Sequence, residues 1–237
     1  MNKYPRENSS KNWPPGGMLE GLITLLKEDL NSLVNYTYHS ENFVQMEQGN
    51  FDRRMQETIE TYNLSEEEID DLYELNYQDV QDYFNDFPKF MYNSIFILAY
   101  ALFESKIIDV IKFLESRNLA GQILMDDIYY NKPIFERWKQ FFKDNFDIYI
   151  SQSKYWDTIF KGYSLRNLFV HANADKDLVT QPKQDEINEA IKIFQKYGLT
   201  QDYGKVQIDS YKLPEFTIKS MKDFIDEFKD ACKENAI

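Results

Sequence analysis

The chain has 237 residues and a mass of 28.4 kDa, enough for one substantial domain or one domain with an extension. It is 43% hydrophobic, with 18 Phe, 17 Tyr and 3 Trp, but holds only 8 Gly and 7 Pro; this is poor material for a β sandwich and good material for packed helices. A single cysteine, Cys232, excludes an internal disulfide framework and a multi-cysteine metal site, and a net charge of −13 leaves any nucleic-acid contact to a local patch.

Residues 1–17 contain Lys3, Arg6 and Lys11 but no apolar run, and they end in Trp13-Pro14-Pro15-Gly16-Gly17. They read as a disordered tail rather than a secretory signal. Apolar residues at 19, 22, 26, 30, 33 and 34 predict a helix from Met18 to about Tyr38, and a second is expected over 42–62. Ser65 followed by Glu68 is a capping box opening an acidic helix from Glu66 towards Tyr83. The acidic run Glu66 to Asp71 fits a solvated face, and its sharper reading is a nucleic-acid mimic or an acidic docking surface.

Charge divides the chain near residue 86. Residues 1–85 hold 17 acids and 6 bases, whereas 86–237 hold 23 acids and 21 bases. The organisation expected is a tail over 1–17, an acidic helical extension over 18–85 and a helical domain over 86–237. Pro88 sits where a long helix would begin, and 88–116 reads as one helix, apolar all round from Ile95 to Phe103. That nine-residue run is the longest apolar stretch, well short of the ~20 residues of a membrane span. A soluble cytoplasmic protein is expected. Further helices are predicted over 133–147, 153–173, 184–197 (ended by Gly198) and 218–233. A small β-hairpin or extended segment is expected near residues 205–217, where Val206, Ile208 and Tyr211 alternate. The fold class is therefore all-α, a helical bundle with one small hairpin.

Two histidines are present. His39 has no obvious partner and reads as structural or exposed. His171 follows Arg166 and Asn167 in the segment Leu165 to Asn173. On a helical wheel, Trp156, Ile159, Phe160 and Tyr163 define an apolar stripe that continues through Asn167, Val170 and His171, placing Asn167 and His171 one turn apart on the buried face. Arg166 lies on the flank, and Leu165 and Phe169 lie opposite. A helix apolar on two sides belongs in the centre of a bundle or at a subunit interface. Glu104, on the long helix, has no base three or four residues away, so its partner must come from elsewhere, with Arg166 the natural candidate.

With its Arg166-Asn167…His171 spacing, and a long apolar helix ending in Phe103-Glu104 ahead of it, the chain resembles the HEPN superfamily of helical bundles over roughly residues 86–235. The resemblance implies metal-independent RNA cleavage, with no cofactor and no metal. His171 would move a proton, Arg166 would stabilise phosphorane charge, Asn167 would orient the histidine or a phosphate oxygen, and Glu104 would hold Arg166. It also implies a homodimer through the motif helix, a role as toxin or antiviral defence effector, and an antitoxin or regulatory protein as partner. A tyrosine two residues after the histidine, the site of control in one subset of the family, is replaced by Asn173.

RNA would need a basic groove. Lys132, Arg137, Lys139, Lys143, Lys154 and Lys161 are interleaved with Tyr129, Tyr130, Trp138, Phe142, Tyr155 and Trp156, although such aromatics more commonly fill a core. Carboxylate pairs such as Asp126-Asp127 or Asp175/Asp177 could hold magnesium, but acidic loops commonly carry such pairs. Two other readings stand beside the nuclease. One is a non-catalytic HEPN-like module that binds a nucleotide, RNA or a protein, which the acidity favours. The other is a bundle whose Arg-Asn-His set is only a core network.

Overall fold

The structure, a computed structural model, describes residues 17–116, 124–125 and 132–234. The expected tail, Gly17 excepted, lies outside these residues. The fold is an all-α bundle with one two-stranded antiparallel hairpin.

Helix α1 runs unbroken over Met18–Tyr62, where the sequence predicted two helices. Nothing between Tyr38 and Asn42 is Gly or Pro, and Thr37, Ser40 and Val44 continue the buried side, so no residue stops the helix. Its end comes at Asn63, which takes the left-handed conformation (φ 49°) and donates its N–H to the Ile59 carbonyl. The capping box then opens α2 (Glu66–Leu75), with the Ser65 N–H bonded to Glu68 Oε2 at 2.8 Å. None of the α2 side chains is buried, so its acidic run is a solvated face.

The chain returns through a short α3 (Tyr77–Gln81) and one turn of π-helix (Asp82–Asp86) into α4 (Phe87–Ser116). Pro88 explains the π turn. Phe87 donates to Asp82 five residues back, but Pro88 has no N–H for the Tyr83 carbonyl, which takes a hydrogen bond from Gln48 Nε2 instead, at 3.1 Å. One side of the middle of α4 is buried, with Ile95, Phe96, Ala99, Tyr100 and Phe103 at most 1% exposed, but Leu98 is 50% exposed, so the segment is not enclosed all round as its apolarity predicts.

Helices α5 (Ile134–Phe146), α6 (Trp156–His171), α7 (Gln181–Phe194) and α8 (Lys212–Glu234) complete the bundle. Helix α1 runs antiparallel to α4 and α8, with ion pairs Lys106–Asp29, Lys27–Asp226 and Lys229–Glu20 across the seams. Leu19, Ile23, Leu26, Leu30 and Leu33 belong to the same core as α4, α6 and α8. The step in charge near residue 86 is thus not a step in packing, because the first half of α1 is a core helix.

The hairpin lies earlier than expected, pairing β1 (Leu199–Asp202) with β2 (Lys205–Ile208) through a Tyr203-Gly204 turn in which both residues have positive φ. Residues 212–217 are helical instead. Pro214 falls in the first turn of α8, where no N–H is required, and Leu213 and Thr217 lie one turn apart and fully buried.

Candidate functional site

Helix α6 carries the motif, and its orientation differs from the wheel. The buried line is Trp156, Ile159, Gly162, Leu165 and Leu168, at a spacing of three. Gly162 is the cause. It has no side chain to count as apolar, yet Tyr100 packs so closely over it that an added Cβ would lie 1.9 Å from the Tyr100 hydroxyl oxygen. The Tyr100 hydroxyl donates to the Ile159 carbonyl at 3.0 Å. The core face is therefore turned towards Leu165 and Leu168. Arg166 and Asn167 are half-buried, and Val170 and His171 are exposed.

This rotation brings Arg166, Asn167 and His171 to the wall of one cleft. Tyr163, Ser164 and Leu168 of α6 line it with them, and Val179, Lys183, Glu186 and Ile187 face them on and before α7. Glu104 reaches the rear of the site from α4. Its carboxylate lies 3.6 Å from Arg166 Nη2, so the partner expected for Glu104 is the one observed. Arg166 Nη1 also donates to Asn167 Oδ1 at 2.9 Å. The Tyr163 hydroxyl interacts with both Asn167 and Glu104, and the Arg166 guanidinium stands 5.9 Å from the Tyr163 ring centre. These four side chains form a closed polar circuit behind the cleft.

Two ionisable members of the circuit are perturbed. Half-burial raises the Glu104 carboxyl above its usual range, opposed by the Arg166 charge and the Tyr163 hydrogen bond. Half-burial likewise raises the Tyr163 phenol, opposed mainly by Asn167. Glu104 Oε1 and Arg166 Nε are buried without a hydrogen-bond partner among the described residues. Those two atoms retain bonding capacity at the edge of the circuit.

The imidazole of His171 stands on the last residue of α6, outside the circuit. The loop beyond it is clamped by the hairpin. Val206 N–H donates to the Ala174 carbonyl at 2.9 Å, and Lys205 Nζ reaches Asp175 Oδ2 at 3.1 Å and the Asn173 carbonyl at 3.4 Å. Asn173 and Ala174 both take positive φ, 48° and 61°. His39 is exposed, in the middle of α1 rather than near a helix end.

The predicted basic groove is not assembled around the motif. Lys139 pairs with Glu136 at 2.8 Å, Lys154 lies 3.8 Å from Glu227, and Lys161 is paired with Glu189. Lys143 stands over the Tyr149 ring, and Arg137 donates to the Met125 carbonyl. Lys154 precedes α6 and His171 ends it, a separation of about 24 Å at 1.5 Å per residue. Phe135 rests on Tyr163 with ring centres 4.5 Å apart. Phe135 stands near the start of α5, and Lys132 just before that helix is exposed. Trp138, Phe142 and Trp156 are core residues, and Tyr129 and Tyr130 lie outside the described residues.

Of the carboxylate pairs, Asp126-Asp127 lies outside the described residues, and Asp175 is engaged by Lys205 and by the Asp177 N–H. Among the described residues, no group of three or more His, Cys, Asp or Glu side chains is placed to hold a metal ion. No described helix is long and apolar enough to cross a membrane.

Sequence reasoning missed Lys183, Ser164 and Glu186 as cleft residues. The two on α7 are brought to the site by the packing of α7 on α6, for which the chain carries no local signal. Comparison with protein-family models, with curated proteins and with solved structures finds no match to this chain.

Proposed function

We propose that the protein is a metal-independent endoribonuclease of HEPN type, acting as a toxin or antiviral defence effector. The observation that carries this reading is the joint presentation of Arg166, Asn167 and His171 on one solvent-open cleft, with Arg166 held from behind by Glu104. A network serving only the core would not leave its histidine exposed.

In the reaction, a ribose 2′-oxygen forms a bond to the adjacent phosphorus as the bond to the 5′-oxygen breaks. The 2′-OH proton passes to a base, and the leaving 5′-oxygen receives one. The products are a 2′,3′-cyclic phosphate and a 5′-OH. An imidazole exchanges protons near neutral pH, which suits His171 to either transfer. Arg166 presents its guanidinium to the phosphorane oxygens, and Asn167 fixes the angle of Arg166 through its 2.9 Å hydrogen bond. Two copies related by a two-fold axis would supply two imidazoles, one as base and one as acid. Val170, 44% exposed beside His171, gives that contact an apolar centre.

The test uses wild type and His171→Ala on total tRNA and on a generic single-stranded RNA, in EDTA, with circular dichroism as the folding control. Cleavage by wild type alone, leaving cyclic phosphate ends, is expected. Cleavage by both proteins would overturn the role of His171.

The second reading, a non-catalytic module that binds a nucleotide, RNA or a protein, is favoured by the neutralised lysines 139, 154 and 161. It predicts no cleavage by either protein and nucleotide binding that weakens in Lys183→Gln.

A further inference from the structure

A second surface lies far from the motif, where α1 outruns the core. Leu19, Ile23, Leu26, Leu30 and Leu33 of α1 pack into the main core, but Val44, Phe51 and Met55 are buried outside it, with Phe51 against the rings of Tyr83 and Phe84. Beside this small cluster, α1, α3, the π turn and the start of α4 form a groove. Phe43, Tyr83, Phe87 and Phe90 make its apolar surface, and Glu47, Asp79, Asp82 and Asp86 also line it.

Two features make the groove unlike ordinary surface. Phe90 is 71% exposed, Phe43 45% and Phe87 40%, an apolar group rimmed by charge of the kind that marks an interaction site. The charge is all of one sign. Residues 41–86 contain 14 acids against Arg53 and Arg54, and no base lines the groove. Its only described ion-neutral tie is Gln78 Nε2 donating to Asp82 at 2.8 Å. Tyr83, in the π turn, and Phe87, which follows it, both line this surface.

We propose that this groove docks a cationic amphipathic helix of a partner protein, with Lys or Arg on one face and large apolar anchors on the other. Charge complementarity selects the occupant. RNA and anionic lipid carry the sign of the groove, and a second acidic arm of this chain would meet it with like charge. The apolar floor excludes a purely ionic contact, and a groove between helices accepts a helix that anchors through residues three and four apart. The inference is independent of whether the motif cleft cleaves RNA.

The test is fluorescence anisotropy with the full chain and a labelled helical peptide of about 18 Leu and Lys residues, with a Leu/Glu peptide of the same apolar face as its counterpart. The Leu/Lys peptide is expected to bind, and the Leu/Glu peptide to bind at least about tenfold more weakly. Phe43→Ser/Phe90→Ser and Asp79→Asn/Asp82→Asn/Asp86→Asn should each weaken the Leu/Lys peptide by about tenfold, whereas Glu57→Gln/Glu60→Gln, outside the groove, should change it by less than about twofold. All the altered side chains sit at the surface, and circular dichroism checks the fold of each variant. Equal binding of the two peptides, or equal loss in groove and control variants, would overturn the proposal. Residues 1–16 carry Lys3, Arg6, Lys11 and Trp13. If their deletion raised the affinity of the Leu/Lys peptide, the occupant would be this chain's own segment and a partner helix would be ruled out.

Discussion

Arg166 and Glu104 stand 3.6 Å apart across the contact of α6 with α4, each side chain less than one-fifth exposed. Glu104→Ala leaves the guanidinium without its counter-charge and should cost about 1–3 kcal/mol, whereas Glu104→Gln keeps an acceptor. Burial holds the Glu104 carboxyl above its ordinary 4.5. Its contribution to stability is therefore fully present below the unfolded value and is lost as pH rises through the folded one. Thermal melts should show Glu104→Gln gaining on wild type as pH rises from about 4 to about 7. A difference that stays flat or falls over that range would sink this account.

At Gly162, α6 packs closely beneath Tyr100 of α4. A Cβ there would fall 1.9 Å from Tyr100 Oη and 2.9 Å from its Cζ, and Tyr100 is fully buried. Gly162→Ala should destabilise by about 1–3 kcal/mol through overpacking. Tyr100→Phe gives up a buried hydrogen bond worth about 1 kcal/mol but removes the nearest clashing atom. Urea titration of the four combinations should show Gly162→Ala costing less in the Tyr100→Phe background, and strict additivity would rule out the clash as the cause.

The turn after His171 stores strain that a glycine would relieve. Ala174 has φ 61°, and a residue with a Cβ pays about 1 kcal/mol in that region. Ala174→Gly should raise stability by a few tenths to about 1 kcal/mol, less the entropy glycine adds to the unfolded chain. Lys205→Met should cost little stability, since its bridge to Asp175 is partly exposed. Amide exchange should nevertheless quicken at residues 173–176 while the middle of α6 stays protected. Exchange that is unchanged there would show that the hairpin does not clamp the loop.

Cys232 is 2% exposed, and burial pushes its thiol up to about 12. A thiol-labelling reagent at about pH 8 should leave the folded protein unmodified and react at the rate of unfolding. Rapid labelling of the native protein would show that α8 opens locally at its end.

Much of the candidate site was legible before the fold. The need of Glu104 for a distant base follows from the absence of any base three or four residues away, and Arg166 is what the fold supplies. The burial of Ile95, Phe96, Ala99, Tyr100 and Phe103 follows from the apolarity of that stretch, although Leu98 in its middle is exposed. The face of α6 was not legible, because a buried glycine contributes nothing to an apolar count while Tyr100 packs directly over it. Lys161 and Lys154 could be counted but not paired, because their partners Glu189 and Glu227 stand 28 and 73 positions later.

By itself the sequence determined what local physics encodes: helical periodicity, the Ser65–Glu68 cap, the position of Pro88, and an arginine and an asparagine one turn before a histidine on one helix. Tertiary structure decided that α1 is continuous and that its first half belongs to the core. It also turned the motif to a cleft shared with Lys183 and Glu186. The reason is that a 3.6-residue period says which residues share a face. Whether that face is buried or open depends on the backbone packed against it, here Tyr100 over Gly162, and no spacing within α6 records that neighbour.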